Sequence, residues 1–286
     1  MLTVSGVAIA LLVVGLVAWL VAGTGDDAAS TTDPGPVHVH ALGVNPADEA
    51  LFIATHTGLY RVAKEEEQAR RVSDRHQDTM GFTVVGPNRF LGSGHPDLRD
   101  DLPPHLGLIE STDGGESWES VSLLGEADFH VLRFADQRVY GYDSSNDRLL
   151  VSTDGGRTWD ELEKPGPIVD LAVSPKSPSH IVLASAGGPN EGLFESRNGG
   201  RTWKQIDTTV GLLAWPAQER LYLVTDGGEV LRSSDGGREL DRRGEIGGEP
   251  AAFLAPDDGA LYIALHDGTI KCSRDGGASW AVRSTP

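Results

Sequence analysis

The 286-residue sequence contains a single cysteine, Cys272. One thiol cannot form an intramolecular disulfide, and it excludes zinc or iron–sulfur sites that need several cysteines. Any metal in this protein must therefore be held by histidine and carboxylate side chains.

Basic residues are also scarce, with 24 Lys and Arg against 42 Asp and Glu and a net charge of −18. A surface this acidic repels phosphate backbones, which excludes a nucleic-acid partner and disfavours binding to anionic membrane surfaces. Aromatic residues make up only 6% of the chain.

No strong helical period appears after residue 23, whereas glycine is abundant, at 36 of 286 residues. The usual proportion of glycine is roughly 7%. The excess predicts many tight turns, and together with short apolar runs it predicts an all-β fold.

Residues 1–23 form the only long apolar segment. The 22 residues Leu2–Gly23 carry no charge and would span about 33 Å as a helix, close to the thickness of a membrane core. We predict a transmembrane signal-anchor here. A cleaved signal peptide is the alternative, because Val21-Ala22-Gly23 could serve as a cleavage site.

The polar stretch at residues 24–36 is predicted to be a flexible linker. Both interpretations of the apolar segment place the globular region, residues 37–286, outside the cytoplasm. It would be held there by a single membrane pass, or secreted if residues 1–23 are cleaved.

Five copies of one eight-residue pattern follow. They share a serine at the first position, Asp or Asn at the third and two glycines, and they are Ser111–Trp118, Ser152–Trp159, Ser196–Trp203, Ser233–Leu240 and Ser273–Trp280. Their third residues, Asp113, Asp154, Asn198, Asp235 and Asp275, lie 41, 44, 37 and 40 residues apart. A period of about 40 residues is typical of one four-stranded propeller blade.

Each part of the pattern suits a turn between two strands. The Asp or Asn side chain can accept hydrogen bonds from backbone N–H groups, and the glycines can adopt positive φ. The tryptophan returns to the sheet and buries a large ring. Leu240 replaces this tryptophan in the fourth copy, which predicts weaker packing there.

The pattern resembles the Asp-box, or BNR, repeat found in the propellers of sialidases, sortilin-type receptors and related bacterial proteins. The resemblance covers roughly residues 38–284 and implies a propeller. It does not specify an activity, because members include glycosidases, receptors and assembly factors.

Laying the sequence on the period gives six units, at residues 37–75, 78–123, 127–163, 167–207, 210–244 and 249–284. The first has suitable strands but carries Lys64-Glu65-Glu66-Glu67 in place of the box. We predict a six-bladed β-propeller after an N-terminal transmembrane helix, with seven blades if the linker contributes strands.

Polar residues recur at the end of the blades opposite the boxes. The ends of the second strands carry His56, His95, Asp143, Asp226 and His266, and the starts of the first strands add His38, His40, Asp128, His130 and Asp170. Rotation should bring equivalent positions together around the axis, and the long loop from Gly94 to Gly107 belongs to the same face.

This arrangement predicts a metal or polar-ligand site at the mouth of the channel. The candidate metal ligands are His38, His40, His56, His95, His130 and His266. Imidazoles with one or two carboxylates suit a divalent transition metal such as zinc, copper, nickel or iron. The alternative is that these histidines are structural, either hydrogen-bonded between blades or placed at ordinary turns.

A catalytic role is the second hypothesis. Sialidase chemistry needs three arginines and a tyrosine backed by glutamate, and the mouth positions do not provide them. Segments such as His38–Gly43 and Gly92–Pro96 are similar to bacterial envelope proteins labelled glycosylhydrolases. That resemblance implies a glycoside hydrolase of other specificity, for which Asp97, Asp128, Asp143 and Asp226 are the candidate catalytic acids.

The third hypothesis is a protein-interaction or assembly module, a monomer whose propeller binds an envelope protein or a glycan. The sequence alone does not decide among the three.

Overall fold

The computed structural model describes residues 35–256 and 259–286. The predicted transmembrane helix, at residues 1–23, and nearly all of the predicted linker lie outside these residues. Within them, no helix is long and apolar enough to cross a membrane.

The described residues form 24 strands in six antiparallel sheets of four. Blade 1 consists of β1 (Val39–Val44), β2 (Leu51–Thr55), β3 (Gly58–Val62) and β4 (Arg70–Arg71). Blade 2 consists of β5 (Asp78–Gly86), β6 (Arg89–His95), β7 (Leu108–Ser111) and β8 (Glu119–Ser122). Blade 3 consists of β9 (Phe129–Ala135), β10 (Arg138–Asp143), β11 (Arg148–Ser152) and β12 (Asp160–Leu162).

Blade 4 consists of β13 (Ile168–Ser174), β14 (Ser177–Ser185), β15 (Gly192–Ser196) and β16 (Lys204–Asp207). Blade 5 consists of β17 (Leu212–Ala217), β18 (Arg220–Val224), β19 (Glu229–Ser233) and β20 (Asp241–Glu245). Blade 6 consists of β21 (Pro250–Leu254), β22 (Leu261–Leu265), β23 (Ile270–Ser273) and β24 (Ala281–Ser284). The predicted six-bladed propeller is confirmed.

The core is divided among the junctions of the blades. Six apolar clusters each combine buried side chains from two neighbouring blades. Each fully buried Leu or Ile contributes about 1.5–3 kcal/mol relative to exposure, so most of the apolar stabilisation acts between blades.

The ring closes between blade 6 and blade 1 without exchange of a strand. The closing cluster includes Leu42 and Ile53 from blade 1 with Tyr262 and Ile270 from blade 6. The Arg283 guanidinium also donates to the carbonyl of Ala63, at 2.7 Å. The box-free turn of blade 1 thus helps to join the ends of the ring.

The boxes form the turns between the third and fourth strands. In blade 3, Ser152 Oγ accepts from Gly156 N and donates to Asp154 Oδ1, both at 2.8 Å. Asp154 also accepts from the backbone and hydroxyl of Thr158, which lower the pKa of the carboxyl. The indole of Trp159 donates to Ser122 Oγ of blade 2 at 3.0 Å. The box therefore stabilises its own turn and the junction with the preceding blade.

Candidate metal centre at the channel mouth

A central channel of about 460 Å³ runs along the axis and is lined by the first strand of every blade. In an antiparallel meander, the starts of these strands lie at the same end as the turns between the second and third strands, opposite the boxes. His40, His130 and Asp170 line the channel among mainly apolar residues. This end of the propeller is the mouth.

The first cluster at the mouth joins blades 1 and 2. His40 is the second residue of β1, His56 follows β2, and Asp78 begins β5. His56 Nδ1 lies 2.8 Å from Asp78 Oδ2, and His40 Nε2 lies 3.6 Å from Asp78 Oδ1. The rings of His40 and His56 meet edge to face, with centroids 4.4 Å apart. Asp78 therefore bridges two imidazoles.

The backbone around His56 is held in a tight turn. Thr55 Oγ1 accepts from Thr57 N at 3.1 Å and donates to Gly58 O at 2.8 Å. Gly58 has a φ of +128°, which only glycine adopts readily. His38 is exposed, with a φ of +53°, and its ring centroid lies 5.3 Å from that of His56. His38 is thus a neighbour of the cluster.

The second cluster joins blades 2 and 3. His130 Nε2 lies 2.9 Å from Asp128 Oδ2, and His95 Nε2 lies 3.8 Å from the same oxygen. His95 Nδ1 lies 2.8 Å from the carbonyl of Pro104. Because a carbonyl can only accept, Nδ1 carries a proton, and in the neutral imidazole Nε2 then presents its lone pair towards Asp128. The ring of His105, from the loop after β6, lies 5.6 Å from that of His95.

The two clusters are built on the same plan. The strand registers show that Asp78 and Asp128 hold equivalent positions. Phe82 pairs with Gly92 and Leu132 pairs with Gly141, and each aspartate lies four residues before the first member of its pair. In both cases one blade supplies a histidine at the end of its second strand, and the next blade supplies the carboxylate.

The ligand atoms of both clusters are incompletely paired. Four of these buried atoms find no hydrogen-bond partner among residues 35–256 and 259–286, namely His40 Nε2, Asp78 Oδ1, His105 Nδ1 and Asp128 Oδ1. Leaving a buried polar atom unpaired costs about 1–3 kcal/mol. A cation placed between the nitrogen and oxygen atoms would satisfy them.

Two sets of residues could hold such an ion. In each of the sets His40, His56, Asp78 and His95, His105, Asp128, every residue offers one ligand atom, and these atoms lie within 4.8 Å of one another. Two ligands about 2.1 Å from zinc in tetrahedral geometry stand roughly 3.4 Å apart. The separations from His40 to Asp78 and from His95 to Asp128 are close to this value.

The electrostatics of the clusters favour neutral imidazole and ionised carboxylate. Burial, followed by the nearby imidazoles of His56 and His130, lowers the pKa of His40 to about 3. Burial acts to raise the pKa of Asp128, but the hydrogen bond with His130 and the surrounding imidazoles lower it overall. Both groups are therefore in the protonation state that binds a metal.

The other predicted positions lie in different surroundings. Asp97 is 3% exposed and pairs with the Arg99 guanidinium at 2.6 Å, while it accepts from His76 N at 2.7 Å. Asp143 is fully buried and pairs with Arg148 at 2.6 Å. These contacts lower the pKa of both carboxyls despite burial.

Two predicted residues of blades 5 and 6 lie apart from the clusters. Asp226 is exposed and accepts from Gly227 N in its own turn, at 2.8 Å. His266 is also exposed, and within the described part of the chain no hydrogen bond, ion pair or ring contact joins it to another histidine. The structure therefore brings together His38, His40, His56, His95 and His130 but not His266.

Sequence reasoning did not assign Asp78 or His105 to the site. Asp78 had a signal, since it starts the first strand of its blade and Asp128 directly precedes the first strand of the next. His105 had a weaker signal, since it belongs to the long loop from Gly94 to Gly107 on the same face, but its position depends on how that loop returns after β6. Leu106 N donates to Gly94 O at 2.9 Å, and this contact brings His105 beside His95.

The family model described as sortilin, neurotensin receptor 3, matches residues 107–227, which contain the first three boxes. The match covers less than half of the chain, so it shows similarity to the sortilin family over this stretch only. The five boxes and the six four-stranded sheets make the described residues an Asp-box propeller. No curated protein sequence matches this Asp-box propeller.

Solved structures similar to the Asp-box propeller come from proteins of different function. One described as YCF48 bound to D1 peptide aligns with a TM-score of 0.53 at 18% identity, covering 87% of this chain and 83% of that chain. A gluconolactonase from Xanthomonas campestris aligns with a TM-score of 0.65 at 11% identity, covering 81% and 84%. At these identities the likeness shows the fold alone, and function must be argued from the site.

Proposed function

We propose that the mouth of the propeller binds divalent transition metal ions, one in the set His40, His56, Asp78 and one in the set His95, His105, Asp128. The observation that supports this most is the convergence of nitrogen and oxygen atoms, four of which are buried and have no hydrogen-bond partner among residues 35–256 and 259–286. Burying such atoms without a partner is unfavourable, and a cation between them would supply one.

The ligand chemistry narrows the class of metal. Two imidazoles and one carboxylate suit zinc, copper, nickel or iron better than calcium or magnesium, which prefer oxygen ligands. Three protein ligands also leave a coordination position open to water or a small ligand. His40 lines the channel, so a ligand on the first ion could reach it from the channel.

Metal titration of the whole protein tests the proposal. The chain is purified without a histidine tag, treated with chelator and titrated with Zn²⁺, with Cu²⁺ and Ni²⁺ as competitors. We expect two bound ions per chain, and the variants His56→Ala and His95→Ala should each weaken one site by more than about tenfold. His266→Ala is the matched control and should bind like the unmodified protein.

The titration separates the metal site from structural histidines. Binding of less than one ion per chain, or equal loss in His266→Ala and His56→Ala, would overturn the proposal. Circular dichroism and thermal unfolding of each variant show whether a loss of binding is a loss of the fold.

The metal-binding propeller is proposed to work outside the cytoplasm, anchored by residues 1–23. This rests on the length and uncharged composition of Leu2–Gly23. Fractionation tests it: the full chain should stay with membranes after carbonate extraction, and externally added protease should digest the propeller. A soluble, protease-protected chain would contradict the anchor and the location.

The proposed role is a binding or scaffold function, with an envelope protein or a glycan as partner of a monomeric propeller. The glycoside hydrolase alternative has less support from the geometry. A glycosidase needs a carboxylic acid with a raised pKa as proton donor, whereas Asp97 and Asp143 pair with arginines that lower their pKa values. Turnover of aryl glycosides that Asp128→Asn abolishes would restore that alternative.

A further inference from the structure

A groove of about 370 Å³ between blades 5 and 6 is rich in arginine. It is lined chiefly by Arg220, Tyr222, Arg232, Arg243, Arg274 and Asp275. These residues come from β18, β19, β20 and the box of blade 6, so the groove lies towards the box end, away from the mouth. Four guanidinium groups around one groove are unusual in a chain whose net charge is −18.

In two other blades, blades 2 and 4, the equivalent place holds a cation and a carboxylate. In blade 2, Arg89 at the start of the second strand pairs with Glu110, the residue before the box serine. In blade 4, His180 and Glu195 occupy these positions, with the nitrogen and oxygen atoms 2.7 Å apart. The strand registers match, since Phe90 pairs with Ser111 and Ile181 with Ser196.

Blade 5 departs from this pattern. Leu221 pairs with Ser233, so the same two positions are Arg220 and Arg232. Two like charges placed diagonally on neighbouring strands destabilise a sheet. Arg243 and Arg274 add two further positive charges to the same groove.

The described lining of the groove contains one carboxylate and four guanidinium groups. Across residues 35–256 and 259–286, no carboxylate forms an ion pair with these four arginines. Asp275, the acidic residue in the described lining of the groove, already accepts from Ser273 Oγ, Ala278 N, and the backbone N and hydroxyl of Ser279.

We propose that this groove binds a tetrahedral oxyanion, the phosphoryl or sulfuryl group of an anionic ligand. Guanidinium groups bind such oxyanions through paired charge-assisted hydrogen bonds. The buried phenol of Tyr222 lines the groove and adds a donor. Gly276 keeps the space beside it open, because a β-carbon there would stand 3.3 Å from the Tyr222 hydroxyl oxygen.

The test uses the full chain with inorganic phosphate and inorganic sulfate at constant ionic strength, balanced with sodium chloride. At an oxyanion concentration of about 100 times Kd, we expect the unfolding temperature to rise by roughly 5 °C. Comparing the two oxyanions separates a phosphate ligand from a sulfate ligand, and stabilisation by either supports the proposal.

Arg232→Glu is the decisive variant, since it places in blade 5 the cation–carboxylate pair found in blade 2. It should raise the unfolding temperature without oxyanion and remove the rise that oxyanion produces. Arg201→Glu makes the same change of charge at an exposed arginine of another box and should respond to oxyanion like the unmodified chain.

Three results would overturn the oxyanion site. These are no stabilisation beyond the chloride control, the same loss of response in Arg201→Glu, and a full response in Arg232→Glu. The metal sites do not enter this test, because phosphate that acted by removing a metal would affect both variants alike.

Discussion

Two carboxylates near the mouth of the propeller, those of Asp170 and Asp78, have different surroundings. Between blades 3 and 4, Asp170 pairs with Arg133 at 2.5 Å and accepts from the backbone N–H groups of Leu171 and Leu213. Between blades 1 and 2, Asp78 faces two imidazoles and keeps one oxygen without a hydrogen-bond partner. Asp170 is thus saturated by the fold, whereas Asp78 is left available to a ligand.

The largest expected effect on stability comes from replacing Asp170, the carboxylate whose oxygens are fully paired. Asp170→Ala should lower the free energy of unfolding by about 3–5 kcal/mol, because it strips Arg133 of its buried partner and leaves two backbone N–H groups unpaired. Denaturant unfolding measures this loss. Asp226→Ala, an exposed acid of the same face, should change stability by less than about 0.5 kcal/mol. Similar losses in the two variants would remove the distinction.

The next largest effect is the pH dependence of the free energy of unfolding that results from His40, in the cluster with His56 and Asp78. Its pKa is about 3 in the folded protein and about 6.5 when unfolded. Between these values the unfolded chain binds the additional proton, so stability falls as the pH is lowered from about 6.5 to 3. The expected size is a few kcal/mol.

Unfolding of metal-free protein across this pH range measures the effect. His40→Gln should flatten the slope, and His266→Gln, at an exposed position, should leave it unchanged. If His40→Gln retains the full slope, the loss of stability in acid comes from another group.

The smallest expected effect on stability comes from replacing Asp78, the carboxylate with one unpaired oxygen. In metal-free protein, Asp78→Asn should change the free energy of unfolding by less than about 1 kcal/mol, since one of its oxygens already lacks a partner. The same variant should lose most of the affinity for metal at that site. Calorimetric titration with Zn²⁺ beside denaturant unfolding tests both. A stability loss above about 2 kcal/mol would make Asp78 structural, like Asp170.

Much of the fold could be predicted because the boxes are local signals. A serine, an aspartate and two glycines within eight residues determine a turn by themselves, and their spacing sets the blades. Even blade 1, with Lys64–Glu67 in place of a box, follows from the period and its strands. Its fourth strand, Arg70–Arg71, is only two residues long.

The sequence predicts which histidines stand at equivalent positions of the blades, but it does not predict which of them join a cluster. His56 and His95 hold equivalent positions and join clusters, but His266 holds the same position and does not. The difference lies in the next blade, which provides Asp78 and Asp128 to the first two, whereas blade 1 has His38 at the corresponding place. The repeat predicts the position of a side chain. The chemistry of that side chain depends on the residue that the next blade supplies, which the repeat does not determine.

Each sheet consists of four strands that are consecutive in the sequence, and the two ends of the propeller meet, since a β-carbon built at Gly35 would stand 3.2 Å from the backbone of Pro286. The propeller can therefore have its termini between any two neighbouring blades without dividing a sheet. A circular permutant that joins residue 286 to residue 35 and is opened between blades 3 and 4 keeps every sheet whole. New termini could in this way be moved around the ring while both histidine clusters stay intact.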